Sequence, residues 1–378
     1  MNPHLVFLDF GLFEIHWYGF LIGLAVLSAS IIYSRLRAIQ GIDVFSSLTD
    51  VILATPAAFL LARISYCWFR KSSFSGRMME IFSLSLGGYS LTGAIAGIVI
   101  VLLFRARRLK VSLLPLLDSA VPALSFAIAL GRLASITSGE ETGFAVTSAF
   151  ARIFSVLSEA EKEQVLWVGF FEGMTAFLIT TLTLVLFVNK YQKNNRGLSD
   201  GCVALCFMVS YGLSQALLES MRSDSLFMNS LGFVRIDQII SILLAVSAIV
   251  VIIVRNIKEC GFFISTFVYI FLCIAALTIA VVCEFSLNFT YLTQIYTVMG
   301  SALAAMWMIA ARLFYLTATK QSESCAGEKM TAKDDGKGSL NEMKKSEKEP
   351  SSHSPFELND SVAESLIADI NASVGRKT

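Results

Sequence analysis

Apolar runs long enough to cross a hydrocarbon core, roughly 20 residues each, recur along most of this chain. The pattern predicts nine helical spans, near 17–34, 50–69, 90–104, 115–136, 165–188, 200–218, 236–254, 262–283 and 290–317. The third is short at its clean apolar core. Basic residues follow alternate spans: Arg35 and Arg37 after the first, then Arg105, Arg107, Arg108 and Lys110 after the third. Lys190, Lys193 and Arg196 follow the fifth span, and Arg255 and Lys258 the seventh. Cytoplasmic loops carry such an excess, so the N-terminus is expected outside and the C-terminus inside. Arg70, Lys71 and Arg77 fall on the outer side and run against the bias.

The expected fold class is therefore all-α, a polytopic transmembrane helix bundle. Three parts are expected: a seven-span core over 1–260, two additional helices over 261–318, and a polar cytoplasmic tail over 319–378. The tail is rich in Lys, Glu, Ser and Asp and predicts disorder for most of its length. Near its end Leu358, Val362, Leu366, Ile370 and Val374 recur every four residues, and Ser361 and Glu364 match a capping box. A short amphipathic helix and an unstructured tail are both open there.

Composition agrees. Only 16% of the 378 residues are charged, against about 25% in soluble domains. A membrane β-barrel would show short alternating segments instead. A net charge of +1 argues against a nucleic-acid partner. The seven cysteines, Cys67, Cys202, Cys206, Cys260, Cys273, Cys283 and Cys325, show no metal-site spacing. Cys202 and Cys206 lie one turn apart in an apolar segment and read as packing, so neither a metal nor a cofactor is expected. The polar start carries Asp9 and Glu14 and lacks the basic opening of a cleavable signal peptide.

Two pairs of opposite charges stand out against this background: Arg132 with Glu140, and Glu219 with Arg222. A charge near the bilayer centre costs about 2.5–3.5 kcal/mol on insertion scales, and such groups face a bundle interior or a wet cavity. Spans four and six both run outward in the expected orientation, so both pairs reach the same outer half. Tyr211, Gln215, Glu219 and Arg222 fall within about 80° of one another around a helix, over about 16 Å of its length. This stripe reads either as an i,i+3 pair fastening the bundle or as a site. The stretch 131–140 begins apolar and becomes small and polar, as the lining of a cavity does. Arg132 there could hold a phosphate with two parallel bonds or snorkel to the interface. His16, Trp17, Tyr18 and Gly19 fit an aromatic belt. Gly87, Gly88, Tyr89, Ser90, Leu91, Thr92, Gly93 and Ala94 permit close helix packing.

Taken in order, these pieces resemble the bacterial prolipoprotein diacylglyceryl transferase family over roughly 5–257. The family's His-Trp-Tyr-Gly stands at His16 to Gly19. A Gly-Arg-Ile-Gly corresponds to Ala62, Arg63, Ile64 and Ser65, and a Ser-Phe-His-Gly-Gly to Ser90, Leu91, Thr92, Gly93 and Ala94. Asp118 fits after the basic loop. The signature Gly-Arg-Ile-Gly-Asn-Phe-Ile-Asn-Gly-Glu aligns without gaps from Gly131 to Glu140. Leu-Tyr-Glu corresponds to Phe170, Phe171 and Glu172. A Tyr-Gly…Arg…Glu…Arg helix aligns to Tyr211, Gly212, Gln215, Glu219 and Arg222, and Gly-Gln-Ile-x-Ser to Asp237, Gln238, Ile239, Ile240 and Ser241. Four departures stand out: Thr92 for the family's His, Ser135 and Ser138 for its asparagines, and Gln215 for an Arg.

The resemblance implies a multi-pass enzyme of the bacterial plasma membrane. Its expected partners are the bilayer, phosphatidylglycerol, and the signal peptide of a prolipoprotein with its lipobox cysteine. The enzyme would move a diacylglyceryl group to that thiol. It further implies Arg132, Glu140, Glu219 and Arg222 as catalytic residues and Arg132, Tyr18, Ser135 and Tyr211 as lipid-binding ones. Glu140 would orient Arg132 or a helix end, and Glu219 would orient Arg222. Two other readings remain open at this point. One is a catalytically silent member that binds phospholipid or precursor. The other is a transporter with a midplane polar site, although no internal repeat supports it.

Overall fold

The computed structural model describes residues 6–9, 14–69, 88–137, 141–146, 151–157, 163–192, 198–223, 225, 227–228, 231–261, 264–287 and 291–346. The chain divides into two units, Met1–Cys325 and Ala326–Thr378, and the packing below concerns the first. The spans become α1 (Trp17–Ile39), α2 (Val44–Phe69), α3 (Leu91–Leu109), α4 (Leu113–Ala134), α5 (Val168–Tyr191), α6 (Cys202–Ser220), α7 (Ile236–Cys260), α8 (Ile264–Phe285) and α9 (Leu292–Ser346). Eight of them are long and apolar enough to cross a membrane. The protein is a polytopic all-α membrane protein.

The exception is α3, the span expected to be short at its apolar core. It has 19 residues and carries Arg105, Arg107 and Arg108 in its last turns, so no uninterrupted apolar window remains. Ser90 caps its start by accepting from the Gly93 amide, and Lys110 ends it in a left-handed conformation. It lies close along α2, where a side chain at position 97 would meet the Ala57 carbonyl at 2.7 Å. The last helix extends past the expected end of its span at 317 to Ser346. Glu, Lys, Met and Ala are frequent over that extension and are good helix formers. The amphipathic repeat at 358–374 lies outside the described residues.

The connections also hold short strands that apolar periodicity does not signal. A hairpin, β1 (Val6–Asp9) with β2 (Glu14–His16), precedes α1. Between α4 and α5, β3 (Thr142–Ala145), β4 (Ser155–Leu157) and β5 (Gln164–Trp167) form an antiparallel sheet with β5 in the middle. The span expected from 165 therefore starts as strand and turns helical at Val168. A second hairpin, β6 (Phe227–Met228) with β7 (Leu231–Arg235), joins α6 to α7. The Ser223 amide donates to the Thr142 carbonyl at 2.9 Å, tying the α4–α5 and α6–α7 connections together at one end of the bundle.

Helix α6 is the axis of the packing: 78% of its apolar window is buried, against at most 56% in any other span. It packs on α5 and α4 through Phe207, Tyr211 and Ile179. On its other side it packs on α7, α8 and α9 through Leu213, Ala245, Ala276 and Met306. Polar bonds fix the last two helices. Trp307 Nε1 donates to Ser210 Oγ at 2.9 Å, and Tyr296 Oη to the Ser220 carbonyl at 2.8 Å. Arg235 pairs with Glu284 at 3.0 Å. At the opposite end of α6, buried Asp118 accepts from Lys190 Nζ (2.8 Å) and from the Gly201 and Ala204 amides (2.9 and 3.0 Å). It thereby satisfies amides that a helix start leaves open.

Gly212 lets α6 approach α7 closely, for a side chain there would meet the Ser241 carbonyl at 2.5 Å and Ala245 at 2.9 Å. Backbone cannot yield as a flexible side chain can. Gly212→Leu is expected to destabilise the bundle by about 1–3 kcal/mol, as overpacking does. A clear fall in unfolding temperature of the detergent-purified protein would show it; an unchanged value would contradict the tight crossing.

Candidate functional site

Arg132 ends α4, and Arg222 follows the last turn of α6. The sequence separates them by 90 positions, yet both turn to the same acids. Arg132 pairs with Glu141 and, through Nε at 2.8 Å, with Glu172. Arg222 Nη1 stands 4.0 Å from Glu141, 3.8 Å from Glu172 and 3.7 Å from Glu219. Glu172 and Glu219 are almost fully buried, at 2% and 1% exposure. Such burial of carboxylates is tolerable only with cations against them. The two charge pairs of the sequence have become one ionic cluster.

Gln215 sits inside it. Its Nε2 donates to Glu172 at 3.1 Å and, over a longer 3.5 Å, to Glu219. Two guanidiniums thus face three carboxylates, with an uncharged amide where the resemblance places a third arginine. Tyr211 is buried one turn away, stacked on Phe207 at 5.2 Å, with its hydroxyl in reach of Arg132. Ser135 is buried, donates to the Arg132 carbonyl at 2.7 Å and accepts from Trp167 Nε1 at 3.2 Å. It holds the turn that aims Arg132. Tyr18 stands at the start of α1 with 37% of its surface exposed. Arg63 is buried on α2 and donates to the Gly88 carbonyl at 3.1 Å.

Glu140, expected to orient Arg132, lies outside the described residues. Among the described residues its neighbour Glu141 carries that contact. Glu141 holds a positive φ of 60°, a conformation that is strained for a non-glycine residue. The strained backbone has partners: its carbonyl accepts from the Val168 and Gly169 amides at 3.0 and 3.3 Å, at the start of α5. A side chain on Gly169 would meet Glu141 Oε2 at 2.6 Å and collide with Ser135 Oγ. Glycine there is what allows the carboxylate to reach Arg132. Sequence reading missed Glu141 and did not place Glu172 in the site. The doubled acid at 140–141 and the Phe-Phe-Glu at the start of α5 were the available signals.

A third polar link lies beside the cluster. Thr92, on the first turn of α3, donates to Asp237 Oδ1 at 3.1 Å and shares a 2.7 Å bond with Ser90. Asp237, on the first turn of α7, feels the charges of Glu219, Arg132 and Arg222. No group of three or more metal-ligating side chains occurs among the described residues.

Comparison with known proteins agrees with this geometry. The profile of the prolipoprotein diacylglyceryl transferase family matches residues 5–254. The phosphatidylglycerol–prolipoprotein diacylglyceryl transferase of Ligilactobacillus salivarius (strain UCC118) is 30% identical over 267 residues, covering 68% of this chain and 95% of the relative. The enzyme of the same name from Clostridium novyi (strain NT) is 30% identical over 260 residues, 68% of this chain and 98% of the relative. The one from Bacillus cereus (strain G9842) is 30% identical over 257 residues, 66% and 92%. The chain belongs to the prolipoprotein diacylglyceryl transferase family, a family of membrane transferases of lipoprotein biosynthesis. The family match ends within α7, so α8 and α9 lie beyond it.

Removing one partner of a buried ion pair strands the other, at about 3–5 kcal/mol. Arg132→Ala strands two carboxylates at contact distance, whereas the Arg222 ion pairs to Glu141, Glu172 and Glu219 measure 3.7–4.0 Å. Arg132→Ala is therefore expected to lower the unfolding temperature in detergent more than Arg222→Ala. Equal losses would mean that Arg132 is not the keystone of the cluster.

Proposed function

We propose that this protein moves a diacylglyceryl group from phosphatidylglycerol to the lipobox cysteine thiol of a prolipoprotein, in a bacterial plasma membrane. The observation that carries the reading is the convergence of Arg132 and Arg222, from two helices, on Glu141 and Glu172. In the reaction a thioether C–S bond forms, the C–O bond to phosphate breaks, and glycerol phosphate leaves. The negative charge that grows on the phosphate needs preorganised donors. Arg132 and Arg222 supply them, with Tyr211 and Ser135 beside Arg132. Tyr18 meets the lipid head group from the start of α1, and Glu219 orients Arg222. Both charge pairs then face the outer leaflet, where a translocated precursor presents its cysteine.

A second reading, lipid or precursor binding without transfer, is favoured by one observation: Gln215 and Thr92 stand where the resemblance places an arginine and a histidine. One experiment separates the two. The chain is expressed in cells depleted of their own transferase, and a lipoprotein precursor is weighed by mass spectrometry. The precursor is expected to gain a diacylglyceryl mass. Arg222→Ala should cut the rate by about 10²–10³-fold, the scale of losing a donor to transition-state charge. No gain at normal protein levels would leave only the binding reading.

A further inference from the structure

The reaction proposed above needs a thiolate, because the thiol itself is a weak nucleophile. A proton must therefore leave the cysteine, and some group must take it. Thr92 cannot, since a hydroxyl does not ionise near neutral pH. Four carboxylates of the described residues in and beside the ionic cluster differ in how they are engaged. Glu141, Glu172 and Glu219 each have a guanidinium nitrogen within 4.0 Å. Asp237 has no such ion pair among the described residues, and its hydrogen-bond donor there is the neutral Thr92 hydroxyl. That bond uses Oδ1. Asp237 is not fully buried, and among the described residues no hydrogen bond from Thr92 reaches its Oδ2.

Two departures from the family pattern meet in this one bond. Where the resemblance places a histidine stands Thr92, and where it places a glycine stands Asp237. The pattern, as the resemblance gives it, has a histidine at the first position and a glycine at the second. Here α3 carries the smaller group, α7 carries an ionisable one, and the two touch at 3.1 Å. The proton-binding group has crossed from one helix start to the other. Independent drift at two positions gives no reason for the new side chains to be hydrogen-bonded within the same cluster.

We propose that Asp237 is the proton acceptor for the lipobox thiol, held in place by Thr92 and, through it, Ser90. This rests on the transferase reading. The thiol proton passes to Asp237 Oδ2, and the sulfur attacks the diacylglyceryl methylene. The C–O electron pair leaves with glycerol phosphate, between Arg132 and Arg222. Asp237 then returns its proton to water. The groups that set its charge are Thr92 on α3, Glu219 on α6, Arg132 on α4 and Arg222 after α6. Thr92 is a positioning residue in this scheme, and Asp237 is the catalytic one.

The test uses the full chain in phosphatidylglycerol vesicles with a lipobox peptide. Asp237→Asn keeps the shape and can still accept from Thr92. It should lower kcat by about 10²–10⁴-fold, the usual worth of a general base. KM for lipid and the unfolding temperature should stay within twofold and within about 2 °C. The residual rate should climb as pH rises toward the thiol's own value of about 8.5, when solvent can take the proton. Asp237→Gly should be as poor, and adding Thr92→His to it should restore at least tenfold. A wild-type protein that transfers, with Asp237→Asn retaining a third or more of its kcat, overturns the assignment and leaves the transferase reading standing. So does an Asp237→Asn loss that is independent of pH. A wild-type protein without transfer removes the transferase reading and this inference with it.

Discussion

The buried ion pairing of Arg132 with Glu141 and Glu172 is the constraint from which the rest of this bundle follows. A lone charge at this depth is intolerable, and three helix ends must meet to neutralise it. Arg132 comes from the end of α4, Glu172 from the second turn of α5, and Glu219 and Arg222 from the end of α6. Each helix must therefore stop at the right height. The glycines at 169, 173 and 212 let backbones approach to the distance that the charges require. The positive φ of Glu141 is one more cost of the same contact. Its carbonyl is anchored on the start of α5, so the strained residue has a fixed place.

The same logic explains what α8 and α9 touch. They lie beyond the family match, yet two of their polar bonds, from Trp307 and Tyr296, go to the helix that carries the cluster. Tyr296 holds the Ser220 carbonyl, one residue past Glu219. Arg235, bonded to Glu284, holds that same carbonyl at 2.8 Å. The carbonyls that end a helix lack partners of their own, and two of the added helices' contacts converge on one of them. The end of α6 that carries Glu219 and Arg222 is therefore braced by elements outside the matched region.

Most of the architecture was legible because length and apolarity alone decide a span. The limits were local. The α3 span differs from the others because its arginines invade the last turns. The strands at 142–145, 155–157 and 164–167 escaped because three or four residues leave no periodicity. In the site, Arg132, Ser135, Tyr211, Glu219 and Arg222 were legible as charges or polar groups on helix faces. Glu141 was not, since which of two adjacent acids turns inward depends on a positive φ that composition does not reveal. Glu172 was quoted in a motif but given no role, because nothing local says that α5 begins beside Arg132. Convergence across 90 residues is a tertiary fact.

Gln215 shows how such a site can be both stable and usable. Among the described residues three carboxylates stand against two guanidiniums, so Arg132 Nε and Nη1 and Arg222 Nη1 already face acids. On the proposed reading, a phosphate that uses those nitrogens binds by exchange with Glu141, Glu172 or Glu219. Exchange weakens ground-state binding, and it weakens the hold on glycerol phosphate after the bond has broken. What accelerates a reaction is stabilisation that peaks in the transition state, where the departing phosphate gathers the most charge and competes best for those donors. A third arginine would bind substrate and product more tightly alike. By this argument the amide at 215 shifts the balance from holding the phosphate toward releasing it. Such a shift leaves a chemical step that depends more heavily on how the thiol loses its proton.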